Sequence, residues 1–381
     1  MLRGIMTVEY KVYRPRRILN KHKRADHWFW TRYTAHPYIG CQHGCEYCYW
    51  RESKYCPYPD PEDFSRLIKV KINAPELLRK ELSKAPVDVV GLGDYQPAEL
   101  RYRLSRQLLQ VCLDLGFPVF VLEKSHNVLQ DLELIKAIND KARAVVSFSI
   151  IATPESPHYK YLKGFEPAVP MPPRRFKAME QFAQAGILTG ASFLPILPGI
   201  YDDDANLEAV VRWTRDHGGA FVLAGGLTLS DKQKAYFLQQ LARICPEKTP
   251  FYERLYPQGS YGPPRGYWNR LGQKVAELCE RYGISDRMPR PIIPGEKRAT
   301  NKRIAERLAI KTYRLELAEA QGYRIWAYRK AAWALDDLPQ DVRLIYERMG
   351  AKGLESIPNV GKKLAREVEQ QILSDESFTH R

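Results

Sequence analysis

No stretch of this 381-residue chain holds the ~18 consecutive apolar residues that a membrane-crossing helix needs, so no segment is expected to span a bilayer. The opening run Met1-Leu2-Arg3-Gly4-Ile5-Met6 lacks the apolar core of a secretory signal. Cysteine is scarce. There are seven, unevenly spread, and three lie between positions 41 and 48. That pattern excludes a disulfide framework and suits a reducing, cytoplasmic setting. Acid is also in deficit, with 44 Asp and Glu against 59 Lys and Arg, a net charge of +15. The excess is concentrated at the start. Residues 1–35 carry nine Lys and Arg against only Glu9 and Asp26, with Tyr10, Tyr13, Trp28, Trp30 and Tyr33 interleaved. Basic residues mixed with aromatics suit phosphate backbones and stacked bases. The alternative is a solvated basic surface that only aids solubility.

What the chain does have is the run Gly40-Cys-Gln-His-Gly-Cys-Glu-Tyr-Cys-Tyr49. Cys41, Cys45 and Cys48 stand in CxxxCxxC spacing. Three such thiolates hold three irons of a cubane cluster and leave the fourth iron open to an outside ligand. Two plainer accounts stand beside this one: a structural zinc site completed by Cys56, and a triplet brought together by chance.

Downstream, short apolar runs alternate with amphipathic stretches. Strands are expected at 87–91, 118–122, 144–151, 188–197 and 220–224. Helices are expected at 104–115, 129–139, 175–185 and 207–216. Thr34-Ala-His-Pro-Tyr-Ile39 precedes the cysteines like a first strand. This alternation predicts a parallel sheet with crossover helices, rolled toward a partial barrel whose functional loops lie at the C-terminal ends of the strands. The expected organisation is a basic aromatic extension over 1–35, a barrel over 36–250, a Pro/Gly/Arg-rich connecting region over 251–297 with one helix at 269–282, and a small all-α domain over 298–375.

The cysteine spacing resembles that of the radical S-adenosylmethionine (SAM) superfamily. Over residues 34–235 the chain resembles the spore photoproduct lyase branch, including the group described as DNA-repair-photolyase-like. The landmarks are Pro37–Tyr49, Gly93-Asp-Tyr-Gln-Pro-Ala-Glu99, Glu123-Lys-Ser125, Val146–Ile150, Phe165-Glu-Pro167 with Arg174-Arg-Phe176, and Leu194–Gly199, in that order. The resemblance implies an α/β fold with a partial (β/α)6 barrel of the TIM type. It also implies a [4Fe–4S] cluster on Cys41, Cys45 and Cys48, SAM as cofactor, and an electron donor such as ferredoxin or flavodoxin. Lys124 matches the lysine that contacts the SAM carboxylate, and Ser147 or Ser149 the ribose-binding serine. Asp94 and Glu99 either orient SAM or substrate or cap the following helix. Tyr95 either takes a redox role or packs. One departure is clear: spore photoproduct lyase has a hydrogen-donating cysteine near the end of its second strand, whereas Val90-Gly-Leu-Gly-Asp-Tyr95 has none, and Cys112 falls on a helix.

Near the end, Ile357-Pro-Asn-Val-Gly-Lys-Lys-Leu-Ala-Arg366 resembles a helix-hairpin-helix motif. Such a hairpin aims backbone N–H groups at a phosphate. Gly361 permits the close approach, Asn359 tolerates a left-handed backbone, and Lys362 and Lys363 add charge. The stretch 301–373 resembles the small N-terminal domain of family X DNA polymerases, most specifically at 323–332. The resemblance places Arg324, Tyr328 and Lys363 at a phosphate pocket. It puts Glu367 where a lyase lysine would stand, so binding carries over and Schiff-base chemistry does not. Together these readings imply a radical SAM enzyme, a lyase or modifying enzyme, that abstracts hydrogen from nucleic acid, with DNA favoured, in lesion repair or base modification. The alternatives are radical modification of RNA or of a protein or peptide, and a non-catalytic DNA-binding protein with a structural metal. A peptide modifier usually brings further cysteine-rich cluster domains, and only Cys245 and Cys279 lie late in the chain.

Overall fold

The computed structural model describes residues 7–374. The readings made for Met1–Met6 and for Asp375 fall outside them. In chain order the elements are β1 (Glu9–Tyr13), β2 (Leu19–Lys21), β3 (Tyr33–Ala35), β4 (Tyr38–Ile39), β5 (Leu67–Lys71), α1 (Ala74–Leu82), β6 (Val90–Gly93), α2 (Pro97–Tyr102), α3 (Leu104–Leu115), β7 (Val119–Glu123), α4 (Leu132–Lys141), β8 (Ala144–Ser149), α5 (Leu162–Phe165), α6 (Pro172–Gln184), β9 (Leu188–Ile196), α7 (Asp204–Asp216), β10 (Phe221–Gly226), α8 (Asp231–Ile244), α9 (Thr249–Leu255) and α10 (Arg265–Tyr282). Four helices follow: α11 (Ala299–Leu317), α12 (Gly322–Asp336), α13 (Val342–Glu355) and α14 (Lys362–Leu373).

The main sheet has seven strands in the order β10-β9-β8-β7-β6-β3-β2. Six of them, β3 and β6 to β10, run parallel, and β2 joins antiparallel at the edge. The sheet is open, a partial (β/α) barrel. Its strands are short apolar runs because both faces are covered: every residue of β6 and β8 is buried. One core cluster fills the space between sheet and outer helices, and Cys112 lies within it, fully buried.

The expected first strand at 34–39 is two strands in two sheets. Pro37 has no N–H to give a ladder, and the chain turns there. β3 pairs with β6, while β4 pairs with β5 in a second, three-stranded sheet of order β1-β5-β4. The basic leader is thus built into the fold through β1 and β2.

The C-terminal helices form an all-helical domain against the opposite end of the barrel from the functional loops. One apolar cluster joins Val89, Phe120, Val145 and Phe221, which sit at the starts of their strands, to Ile304, Ala305 and Leu308 of α11. No helix among the described residues is long and apolar enough to cross a membrane.

Candidate functional site

The cysteine loop leaves β4 at Gly40, whose φ of +90° a side chain rarely adopts. A Cβ there would sit 2.6 Å from the Leu67 carbonyl oxygen and 2.9 Å from that of Phe64. The Cys41 N–H donates to Phe64 O (2.8 Å), and the chain turns again at Gly44, where φ is +65°. Gln96, fully buried at the start of α2, clamps the loop: its Nε2 donates to Gly40 O (3.0 Å) and its Oε1 accepts from Gln42 N (3.0 Å). On the far side Arg51, also fully buried, donates Nε to Cys45 O (3.2 Å) and lies 4.5 Å above the Tyr236 ring.

The three thiols lie within electrostatic reach of one another. Burial pushes Cys41 up first, and Cys45 and Cys48 push it further. Burial likewise raises Cys45 to about 12, and it raises Cys48. Thiols raised in this way become ligands only when a cation makes the thiolate the favoured form. Among the described residues no three or more His, Cys, Asp or Glu are gathered as one metal ion needs. A cubane asks for a different arrangement, in which each cysteine holds its own iron. Cys56 is buried with its thiol 3.8 Å from Tyr58 O. Cys41, Cys45 and Cys48 are thus three thiols on one short loop within electrostatic reach of one another, the donor set that a cubane would use, and Cys56 packs beside Cys41 and Cys48.

Tyr47, between the last two cysteines, ties the loop to the strand ends. Lys124, just past β7, donates Nζ to Tyr47 Oη (2.8 Å), Ser149 Oγ (2.8 Å) and Glu166 Oε1 (2.9 Å). The Tyr47 hydroxyl donates to the same carboxylate. Arg175 completes the group, bonding Glu166, Ser149 O (2.6 Å) and Pro170 O (2.8 Å). Burial alone would raise Glu166, but Arg175, then Lys124 and Tyr47, hold its carboxyl down at about 2. Two cations thus share one carboxylate. Arg175 and Glu166 are 1% exposed, whereas Lys124 is 18% exposed. The uncompensated positive charge therefore faces outward at Lys124.

The other predicted residues fall in three groups. Ser149 meets Lys124; Ser147 lies deeper, donating to Gly190 O (3.2 Å) and 2.8 Å from Ser192 Oγ. Asp94 follows β6 with a left-handed φ of 77° and faces His36 Nδ1 at 3.2 Å. Tyr95 and Glu99 are engaged inside the fold. The Tyr95 hydroxyl donates to Asp131 (2.7 Å), while Glu99 accepts from Tyr38 Oη (2.5 Å) and from Arg106 N (3.2 Å) in the first turn of α3. Four residues given no site role from sequence matter here: Tyr47, Gln96, Glu166 and Arg175. All four stand inside the landmark segments of the family resemblance, and Gln96 also stands directly before the helix-starting Pro97. Glu123 is a further buried carboxyl, raised to about 8 by desolvation although Tyr95 N–H donates to it (3.0 Å).

In the helical domain, Asn359 adopts the left-handed backbone expected of it, with φ of 63°. Gly361 caps α14, and a Cβ there would meet nothing within 4 Å. Lys362, Lys363 and Arg324 are exposed. Tyr328 is buried, and its hydroxyl donates to Glu367 (2.6 Å), which also accepts from Lys311 Nζ (2.7 Å).

Comparison with known proteins agrees with this layout. Residues 299–376 match the helix-hairpin-helix domain. The fold is similar to a solved mutant of spore photoproduct lyase with dinucleoside spore photoproduct, at a TM-score of 0.53 and 16% identity, covering 73% of this chain and 81% of that one. The uncharacterized protein MJ0683 of Methanocaldococcus jannaschii is 28% identical over 173 residues, 45% of this chain and 63% of its own. The uncharacterized protein Rv2578c of Mycobacterium tuberculosis is 30% identical over 268 residues, 68% of this chain and 77% of its own, as is Mb2609c of Mycobacterium bovis. The chain belongs to the family of these mycobacterial proteins.

Proposed function

We propose that this protein is a radical SAM enzyme acting on nucleic acid, with DNA favoured, in lesion repair or base modification. Cys41, Cys45 and Cys48 would hold a [4Fe–4S] cluster. Such a cluster, reduced by a ferredoxin- or flavodoxin-type donor, would supply the electron for splitting SAM into methionine and a 5′-deoxyadenosyl radical. The reading is carried by one observation: Tyr47 of the cysteine loop bonds Lys124, whose charge is left over after Glu166 is shared with Arg175. That is a carboxylate-binding cation beside three thiols.

The chain's own residues then have definite tasks. Lys124 binds the SAM carboxylate by a charge-assisted bond. Ser149, held 2.8 Å from Lys124, accepts or donates to the ribose, and Asp94 orients the ligand from the end of β6. Gln96 and Arg51 fix the loop backbone, so the thiols do not shift between states. Gly361, Lys362, Lys363 and Arg324 hold phosphate at a second place on the nucleic acid. The fold likeness to spore photoproduct lyase supports the assignment to DNA chemistry, as does the helix-hairpin-helix domain. Seven free cysteines suit a reducing, cytoplasmic setting.

The test is anaerobic purification with iron and sulfide analysis, then reduction with SAM and quantitation of 5′-deoxyadenosine. Each of Cys41→Ala, Cys45→Ala and Cys48→Ala should lose the cluster and the product, and Cys56→Ala should keep both. Lys124→Ala should keep iron and weaken SAM binding. Zinc in place of iron, lost on changing Cys56, would refute the assignment.

A further inference from the structure

A cavity of about 380 Å³ whose lining includes none of Cys41, Cys45 and Cys48 lies at the seam between the leader, the segment after α10 and the helices α11 and α12. The proposed function makes no use of it. Its central residue is Arg287, only 6% exposed. The guanidinium is sandwiched between two rings, 4.5 Å from the Trp28 centroid and 3.7 Å from that of Tyr313. Its NH2 nitrogen is buried without a hydrogen-bond partner. The neighbouring Asp286 carboxylate is taken by Arg314 at 2.7 Å. His27 lines the same cavity and also leaves a buried ring nitrogen, Nε2, unpartnered.

Around this core, cations and rings alternate. Arg24 lies 4.4 Å over Trp333, Arg329 lies 4.9 Å over Trp326, and the two tryptophan rings are 6.3 Å apart. Trp28 is 38% exposed and Trp326 48%. The acids at the seam are already engaged. Asp26 accepts from Trp28 N (2.9 Å), Phe29 N (2.8 Å) and Thr31 Oγ1 (2.6 Å), and Glu316 pairs with Arg329. Arg24 and Arg287 are left without a carboxylate at the seam.

A buried guanidinium donor without an acceptor, a surplus of guanidinium charge and exposed flat rings call for a polyanion with planar, unpaired faces. An apolar ligand would leave the Arg287 and His27 nitrogens stranded. A duplex hides the faces the rings would cover. We propose that this seam binds single-stranded nucleic acid, with bases stacked on Trp28 and Trp326 and phosphates drawn to Arg24 and Arg287. The choice of nucleic acid rests on the function proposed above, but cluster and SAM have no part in it.

The experiment is fluorescence anisotropy of the full-length protein with labelled 20-nucleotide oligothymidylate and oligouridylate, neither bearing a 5′-phosphate, at fixed moderate salt. Trp28→Ala and Arg24→Ala change exposed side chains and should each weaken binding about tenfold. Arg287→Gln should weaken it at least as much. Tighter binding of either sugar supports the seam and names its source. Both exposed-site variants binding within twofold of the wild type, with unchanged circular dichroism and melting temperature, would overturn the proposal. So would a wild-type protein that binds gapped duplex yet no single strand, and that result leaves the nucleic-acid reading intact. Binding to neither overturns both.

Discussion

Arg175→Met tests whether the carboxylate beside the cysteine loop is held by balanced charge. Arg175 and Glu166 are each 1% exposed and paired. Methionine keeps much of the volume and removes the cation. Glu166 is then left with Lys124 and the Tyr47 hydroxyl, and the carbonyls of Ser149 and Pro170 lose their donor. Removing one partner of a buried pair costs about 3–5 kcal/mol. At about 2–4 °C per kcal/mol for a unit of this size, the barrel should melt about 10 °C lower at pH 7. The pH dependence follows from the sign. Folded Glu166 titrates at about 2, below its ordinary 4.5, so its stabilisation is full above 4.5 and lost as pH falls through 2. Without Arg175 that carboxyl rises, and the acid-side loss begins at higher pH. The outward charge at Lys124 also falls, from one surplus cation to none, so SAM should bind more weakly. Arg175→Met combined with Glu166→Gln should recover SAM binding, because the carboxylate that neutralises Lys124 is gone. The variant is followed by circular dichroism melts from pH 3 to 8 and by SAM binding to the reconstituted protein. An unchanged melt together with unchanged SAM affinity would refute the argument.

Gly40→Ala should reduce iron incorporation sharply, since the new Cβ meets the Leu67 and Phe64 carbonyls and the backbone is left-handed; iron per chain after reconstitution reports it. Glu123 titrates near 8 in the folded protein, above its ordinary 4.5, so its stabilisation is full below 4.5 and declines as pH rises through 8, at about 1.4 kcal/mol per pH unit. Glu123→Gln should remove that decline, which urea unfolding between pH 5 and 9 would show. Gly361→Val should lose the preference for 5′-phosphorylated gapped DNA while SAM cleavage persists. Wild-type affinity for duplex should fall by about 0.9 log unit per phosphate contact for each log unit of salt; a flat salt response would count against phosphate binding.

Local features were legible in the sequence where chemistry and spacing are both local. The β/α alternation gave five of the six parallel strands to within a few residues, because strands buried on both faces read as plain apolar runs. The cysteine spacing was legible for the same reason, while Lys124 was singled out by the family resemblance and stands just past β7. The leader strands were not. Glu9–Tyr13 and Leu19–Lys21 are polar and half-exposed, and β1 is a strand only because β5 supplies its partner. The Glu166 network was likewise hidden. Its carboxylate lies 42 positions beyond Lys124; Glu166 and Arg175 stand inside landmark segments of the family resemblance, but those segments do not show that the two charges are buried together. The seam at Arg287 joins residues from opposite ends of the chain, so composition showed its basic and aromatic character but not its shape.

The two ends of the barrel constrain how its parts work together. Lys124, Ser149 and the cysteine loop lie at the C-terminal ends of the strands, while α11 packs against Val89, Phe120, Val145 and Phe221 at the other end. Charge fixes that contact as well as apolar packing. Arg290, 1% exposed, lies 3.2 Å from Asp88 of the barrel and 2.8 Å from Asp336 of α12, which also takes Lys302 at 3.2 Å. Trp30 of the leader donates its indole N–H to Met288 O at 3.0 Å and closes the same junction. A buried network of this kind resists rigid-body swinging, since breaking any one pair leaves a dry charge uncompensated. A phosphate held at Gly361, as proposed, would sit on the domain that packs against the end of the barrel opposite the mouth. Under the proposed function the hairpin anchors the nucleic acid at a distance and does not present the reacting nucleotide. The strand between anchor and mouth must run past the flank of the barrel, which gives a single-strand seam at Trp28 and Arg287 a reason to exist.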